Sequence, residues 1–473
     1  MNPSLALGLY IAGIAGLFYL DRDRSVRASK AVWLPIIWLS IAASRSLSSW
    51  FGMGPGRGTA GQAPPTSMLD QVVAASLMLL GAIVLLRRGR VVVGVLKANW
   101  PVVLYFSFCL VSLVSSDFAE WGFKRWVRAL GDLIMVLVVA TDAQPADAFR
   151  RLFSRIGFVL LPASILLIKY YPWLGQGFDD FGEREYVGVT TGKNVLGNLA
   201  FVMMLAALWQ ALSLFRNRKA PNRTRRLLAQ CALLGVGINI LSIAHCATAV
   251  GCCVLGVGLM LATSLPFIRN RPAAVHALVF TVLVGGGLIS LLGGRAAVTE
   301  TLGRKSDLTG RTVIWEIVIP MAPNPISGAG FETFWLGPRV ERIFALVGGP
   351  QMTNEAHNGY IEVYLNLGFV GLALIALILG QGYRTAVRAF RRDSALGALL
   401  VAYVVTAVTY GISEACFRML SIEWFILLLS VVVASRTTGV AKFSPGSRRR
   451  LPESDFAAEA NWPSLVEVTG QQS

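Results

Sequence analysis

Read for hydropathy, the chain alternates between long apolar runs and short polar links. Apolar runs lie near residues 4–20, 31–44, 68–86, 99–115, 126–141, 156–171, 195–215, 227–245, 248–268, 273–292, 359–381, 395–411 and 419–435. A helix needs about 20 apolar residues to cross a bilayer, so the pattern predicts an all-α integral membrane protein with about 12–13 transmembrane helices. The runs at 31–44 and 126–141 are short for a span. The links at 21–30, 87–97, 150–155, 216–226, 269–271 and 383–392, and the tail at 447–450, carry most of the Lys and Arg. These fall on one side of an alternating topology, which the positive-inside rule makes cytoplasmic. The links at 45–67, 116–125, 172–194, about 293–358 and 412–418 then face the periplasm.

Composition agrees with the pattern. The 473 residues are 55% hydrophobic and only 15% charged, with a mean hydropathy of +0.60, which excludes a large soluble domain. The net charge of +17 is divided among short clusters between apolar runs. It therefore encodes topology, and no basic stripe interleaved with aromatics is present to bind nucleic acid. Six cysteines lie in or beside apolar runs without paired metal-ligand spacing and read as packing residues, as do His245 and His276. The first run has no basic residues before it and reads as a retained span. One domain is expected over 1–435, followed by a cytoplasmic, disordered tail at 436–473. The long link at 293–358 contains Trp315, Phe331, Phe334, Trp335 and Phe344, so short helices packed on the bundle are expected within it.

The stretch TNEAHNGYIEVYLNLGFVGLALIALIL, residues 353–379, holds the third histidine at the exterior doorstep of a span. Histidine takes and returns a proton near neutral pH, which makes His357 a candidate acid or base. Gly368 and Gly371 follow eleven and fourteen residues later, and helical geometry returns both to nearly the face of the histidine. Such a smooth strip serves either as a groove for a lipid or as a close helix contact. Glu414 and Arg418, four residues apart near another exterior link, are spaced to pair with each other. No carboxylate cluster has the spacing of a catalytic metal site.

His357, Asn358, Gly368 and Gly371, with the Tyr and Glu of HNGYIE, resemble the signature of the bacterial O-antigen ligase and polysaccharide polymerase family. Upstream, LTGRTVIWEIVIPMAPNPISGAGFETFW (308–335) resembles that family's Gly-Arg-x-x-x-Trp segment and the Pro-x-x-Gly-x-Gly stretch after it, which carries a functional arginine over to Arg311. A third piece, TGKNVLGN (191–198), is similar to rhizobial-type exopolysaccharide (succinoglycan-type) polymerases in Lys193, Asn194 and Gly197, but has Gly192 where a histidine is typical.

The resemblance spans about residues 180–425. It implies a C-type, wholly helical membrane glycosyltransferase in the bacterial inner membrane, with its site on the periplasmic side. Its donor would be a polyprenyl-diphosphate-linked oligosaccharide, its acceptor a glycan, and it would need neither cofactor nor metal. His357 and Arg311 are then the catalytic candidates. Arg184, Lys193, Asn194, Asn358, Glu355 and Arg418 are candidates for binding substrate, with either Arg184 or Lys193 as the second cation on the diphosphate. Membrane lipids, and polysaccharide export and chain-length proteins, are the implied partners. The acceptor separates two enzymes: another lipid-linked repeat unit for a polymerase, the lipid A core for a ligase. A flippase, from a different class, would carry ionisable residues through a midplane cavity, whereas here the polar candidates gather at one face.

Overall fold

The computed structural model describes residues 2–23, 28–53, 67–178, 182–291, 308–347 and 355–439. The tail expected beyond 439, and parts of the long link at 292–307 and 348–354, lie outside them. Every apolar run forms a helix. In chain order the described helices of ten residues or more are α1 (Pro3–Leu20), α2 (Trp33–Ala42), α3 (Met68–Arg87), α4 (Gly89–Ala98), α5 (Trp100–Val111), α6 (Ala119–Ala140), α7 (Pro145–Tyr170) and α8 (Lys193–Arg216). They continue with α9 (Arg223–Ala244), α10 (Ala247–Ala262), α11 (Pro272–Leu291), α12 (Leu308–Val318), α13 (Pro338–Val347), α14 (Gly359–Arg392), α15 (Ser394–Tyr410) and α16 (Ile422–Thr437).

The protein is an all-α integral membrane protein. Six of the described helices are long and apolar enough to cross a bilayer, or seven if α4 and the α5 segment, bent by 87°, count as one span. Helices such as α2, α10 and α15 are shorter than a perpendicular span requires, so length alone supports fewer crossings than the thirteen apolar runs suggested. The basic link at 87–97 is the amphipathic helix α4. One two-stranded hairpin was not expected: β1 (Gln176–Phe178) pairs antiparallel with β2 (Arg184–Tyr186).

Which helices sit inside follows from what surrounds them. α8 and α16 are apolar on all sides and buried along nearly their whole length, as expected of core helices. α1 exposes Leu5, Leu9 and Ile11 and has one buried residue, Ala6, which suits a helix turned to lipid. Some polar residues inside the bundle pair across helices: Trp38 Nε1 donates to Asp132 at 2.8 Å, and Tyr403 Oη to the Val202 carbonyl at 2.8 Å. Neither of the other two histidines is a buried packing residue. Both are exposed: His245 ends α9 with φ 47°, and His276 Nδ1 meets Tyr383 Oη at 2.9 Å. Five cysteines are buried and Cys231 is exposed.

The described part of the long link has its own small core. Ile314 and Val318 of α12, Ala329, Phe334 and Ile343 pack against Leu365 at the start of α14. Its backbone is also spliced into α14, which breaks at Gly368 (φ 61°, ψ −160°). At the break, Phe369 and Val370 donate their N–H groups to the carbonyls of Pro325 (2.8 Å) and Ile326 (3.2 Å). In return, Ala329 and Gly330 donate to the carbonyls of Leu365 (3.0 Å) and Asn366 (2.9 Å). The link therefore replaces hydrogen bonds that the helix gives up. Two backbones can approach this closely only without side chains between them. A Cβ on Gly368 would lie 2.3 Å from the Ile326 carbonyl, and one on Gly328 2.3 Å from Asn366 C; both also have positive φ.

Candidate active site

The splice fixes the start of α14 and with it the loop before it. Asn358 caps the helix, its Oδ1 accepting from the N–H groups of Tyr360 (3.0 Å) and Ile361 (3.1 Å). Its Nδ2 donates to the Ile412 carbonyl at 3.0 Å, and Gly359 N donates to the Gly411 carbonyl at 2.8 Å. On the other flank, Trp315 of α12 donates to the Ala356 carbonyl at 2.8 Å, while Ala356 N donates to the buried Glu362 carboxylate. Between these anchors His357 adopts φ 47°, a conformation that a residue with a Cβ holds only when its surroundings impose it.

The chemistry gathers around two carboxylates. His357 Nδ1 lies 2.9 Å from Glu355 Oε1 and 3.7 Å from Glu414 Oε2. It is an electrostatic contact, since the buried Nδ1 lacks the alignment of a directed hydrogen bond. Arg311 donates to the Ser413 carbonyl at 2.5 Å and reaches Glu414 Oε1 at 3.3 Å. Asn194, in the first turn of α8, donates to the same Oε1 at 3.2 Å. Arg418 pairs with Glu355 Oε2 at 3.1 Å and with Glu332 Oε2 at 3.6 Å. Residues from α8, the long link, the start of α14 and the turn between α15 and α16 thus meet at one end of the bundle.

The carboxylates set the protonation of the histidine. Burial alone would lower the pKa of His357, but Glu355 and Glu414 outweigh it and hold the value at about 9. Burial would likewise raise Glu355, yet His357 and Arg418 bring it down to about 2. The imidazolium is therefore the resting form near neutral pH. The His357 side chain is 31% exposed although Nδ1 itself is buried, so its exposure falls on the other ring atoms.

Several expectations change. Glu414 and Arg418 do not pair with each other; they serve Arg311 and His357 on one side, and Glu355 and Glu332 on the other. Lys193 adjoins Asn194 and pairs with Glu185 at 3.6 Å, whereas Arg184 sits exposed in β2 and does not join the cluster. Gly368 and Gly371 line no open groove: Gly368 abuts the Ile326 backbone, and Gly371 lies against Val363 and Leu367 of its own helix. The face they were expected to share with His357 assumed a straight helix, and α14 is broken. Glu355, His357 and Glu414 also offer three ligand atoms within 4.8 Å of one another, a donor set suited to a divalent cation that sequence spacing did not reveal. Both of these carboxylates already face guanidinium groups, which place positive charge where a metal would.

Two further residues support the cluster. Glu332 is 8% exposed, has φ 56°, and accepts from Met419 N at 3.3 Å, while its carbonyl accepts from Arg125. A lone carboxylate within the aromatic run GFETFW is the trace that Glu332 leaves in the sequence. Arg125, on a different helix, leaves none.

Residues 196–376 match the family model described as O-antigen ligase. That stretch holds Arg311, Glu332, Glu355 and His357 and ends before Glu414 and Arg418. Over 291 residues the chain is 24% identical to the exopolysaccharide production protein ExoQ of Rhizobium meliloti (strain 1021), covering 58% of this chain and 61% of that protein. The chain thus matches less than two thirds of that relative's length. The chain is thus similar to O-antigen ligase over 196–376, the stretch that holds the His-Asn signature and the Gly-Arg segment, and to an exopolysaccharide production protein over 291 residues.

Proposed function

We propose that the protein is a polysaccharide polymerase of exopolysaccharide biosynthesis in the bacterial inner membrane. It transfers an oligosaccharide from a polyprenyl-diphosphate carrier to a sugar hydroxyl of a lipid-linked acceptor at the periplasmic face. The observation that carries this reading is the convergence of Arg311 and His357 on one carboxylate, Glu414. A cation suited to a diphosphate and a proton-transfer group thereby sit side by side, at the end of the bundle where a lipid-anchored head group would lie.

In the proposed reaction the acceptor hydroxyl oxygen attacks the anomeric carbon of the donor, and the bond from that carbon to the diphosphate oxygen breaks. His357 takes the hydroxyl proton. Arg311, with Lys193 as second cation, stabilises the charge left on the diphosphate, since guanidinium binds phosphate oxygens in pairs and stays charged. In the resting structure the diphosphate's place on Arg311 is held by Glu414 and the Ser413 carbonyl. Substrate binding exchanges these partners and leaves Glu414 free to stabilise the imidazolium formed in the reaction. Glu355, 2.9 Å from Nδ1, holds the ring by its charge throughout. Because its pKa is about 9, only roughly one imidazole in a hundred is neutral at pH 7, so the base works from a minor form.

The lipid tail is assigned to two apolar cavities of about 300 and 490 Å³ that share Ile41, Leu47 and Val73 between α2 and α3. The first is also lined by Thr191 and Leu420, neighbours in sequence of Lys193 and Arg418. Filling it with Ala74→Phe is expected to raise the donor KM and leave kcat unchanged; an unaltered KM would remove the cavity from the donor's path.

The test of the whole reading is His357→Ala in a strain deleted for the gene. The variant should accumulate normally in the membrane, form no polymer and leave single lipid-linked repeat units at the outer leaflet. Retained polymer would overturn the catalytic role. Accumulation of long lipid-linked polymer instead would identify a ligase, the activity in the matching family's description.

A further inference from the structure

A second charged cluster lies at the other end of the bundle. Asn194 opens α8 at the His357 end, while Gln210, sixteen residues further along the same helix and so roughly 24 Å away, accepts from Ser154 of α7 and Gln230 of α9. Beside this pair a cavity of about 40 Å³ is lined by Asp21, Asp23, Arg150, Arg151, Arg155 and Arg226. Four guanidinium groups face two carboxylates, a formal excess of two positive charges.

Part of this charge is structural. Arg226 and Asp23 pair at 2.5 Å with side chains 3% and 5% exposed, and Arg151 donates to the Ala28 carbonyl at 3.0 Å. Those contacts fasten α9 and α7 to the segment after α1. Arg150 and Arg155 are not needed for that purpose. Arg155 rests on the Phe18 ring at 4.2 Å and Arg150 lies 5.9 Å from the Trp209 ring, while Asp21 is already held by Gln230 at 3.2 Å. The Nε atoms of Arg150 and Arg226 are buried without a hydrogen-bond partner. Like charges and unmet donors are costly to bury, and one tetrahedral oxyanion answers both. The cavity has room for more than a single water.

We propose that this cavity binds a phosphate group at the membrane face opposite His357, either the phosphodiester of an anionic phospholipid or free phosphate. Basic pockets between helices at that depth lie level with lipid head groups.

The test uses the purified full chain in neutral detergent. Phosphatidylglycerol, phosphatidylcholine and inorganic phosphate are added separately, bound lipid is counted by native mass spectrometry, and thermal unfolding is followed alongside. Phosphatidylglycerol should be retained and raise the unfolding midpoint, whereas phosphatidylcholine should not. Arg150→Gln with Arg155→Gln should weaken retention by about fivefold per charge removed. Asp21→Asn, which adds net positive charge, should strengthen it and keeps the test informative if the double variant fails to fold. Arg391→Gln with Arg392→Gln, outside the cavity, should change nothing. Stabilisation by inorganic phosphate alone, lost in the double variant, would identify a soluble anion as the ligand. Retention that ignores both Arg150/Arg155 and Asp21, or equals that of phosphatidylcholine, would overturn the proposal.

Discussion

His357 is held by Glu355 and Glu414 in its charged form, with a pKa of about 9, and two pH effects follow. If the neutral ring is the base, kcat/KM should rise with pH and level off near pH 9. Glu355→Gln removes a stabilising carboxylate and should move that limb to lower pH, even as it slows the reaction by misorienting the ring. A limb that stays in place would take Glu355 out of the histidine's control. Stability follows from the same shifts. The raised His357 contributes fully below about pH 6.5, and its contribution is lost as pH climbs through about 9. The depressed Glu355 contributes above about pH 4.5 and is lost as pH falls through about 2. At this scale the sequence was readable where chemistry is local. His357, Asn358 and Arg311 stand in recognisable motifs, but the pairings of Glu414 and Arg418 leave no local trace, because they reach segments from 63 residues away (Arg418 to Glu355) to 220 (Glu414 to Asn194).

At the scale of elements, α14 shows why motif residues need not share one task. Gly368 and the Pro-x-x-Gly-x-Gly stretch at 325–330 looked like separate signals, yet they are the two halves of one backbone splice. Gly368→Ala must accept both φ 61° and a clash with a carbonyl, and should cost about 3 kcal/mol or more. The measurement is thermal unfolding of the detergent-solubilised protein. Gly380→Ala, with no atom within 4 Å of its new methyl, is the control expected to leave the midpoint unchanged; equal midpoints for the two would mean that the splice bears little of the fold. Hydropathy could locate α14 but not its break, because a break satisfied by another segment leaves the apolar run intact.

For the whole molecule, each apolar run marked a helix, since burial in lipid or in protein demands the same residues, whereas α4 lies in a basic link that the runs passed over. They could not separate spans from short packed helices, nor show that α4 turns by 87° before α5, because neither depends on hydrophobicity. The sidedness implied by the basic links can be checked directly. In a variant without native cysteines, Phe178→Cys in exposed β1 should react with a membrane-impermeant maleimide in intact cells. Asn217→Cys, after α8, should react only once the inner membrane is opened. Labelling of both from outside would overturn the topology.

The splice also bears on how the chain is made. Residues 325–330 leave the ribosome before Phe369 and Val370, so the donors at the break have their acceptors waiting when α14 is inserted. Until the two meet, those N–H groups have no water to turn to at membrane depth. Maturation of the His357 end is thereby tied to a single docking event between a link and a helix. A chain that misses it would be caught by quality control as an unfinished span, well before any defect in sugar transfer could show.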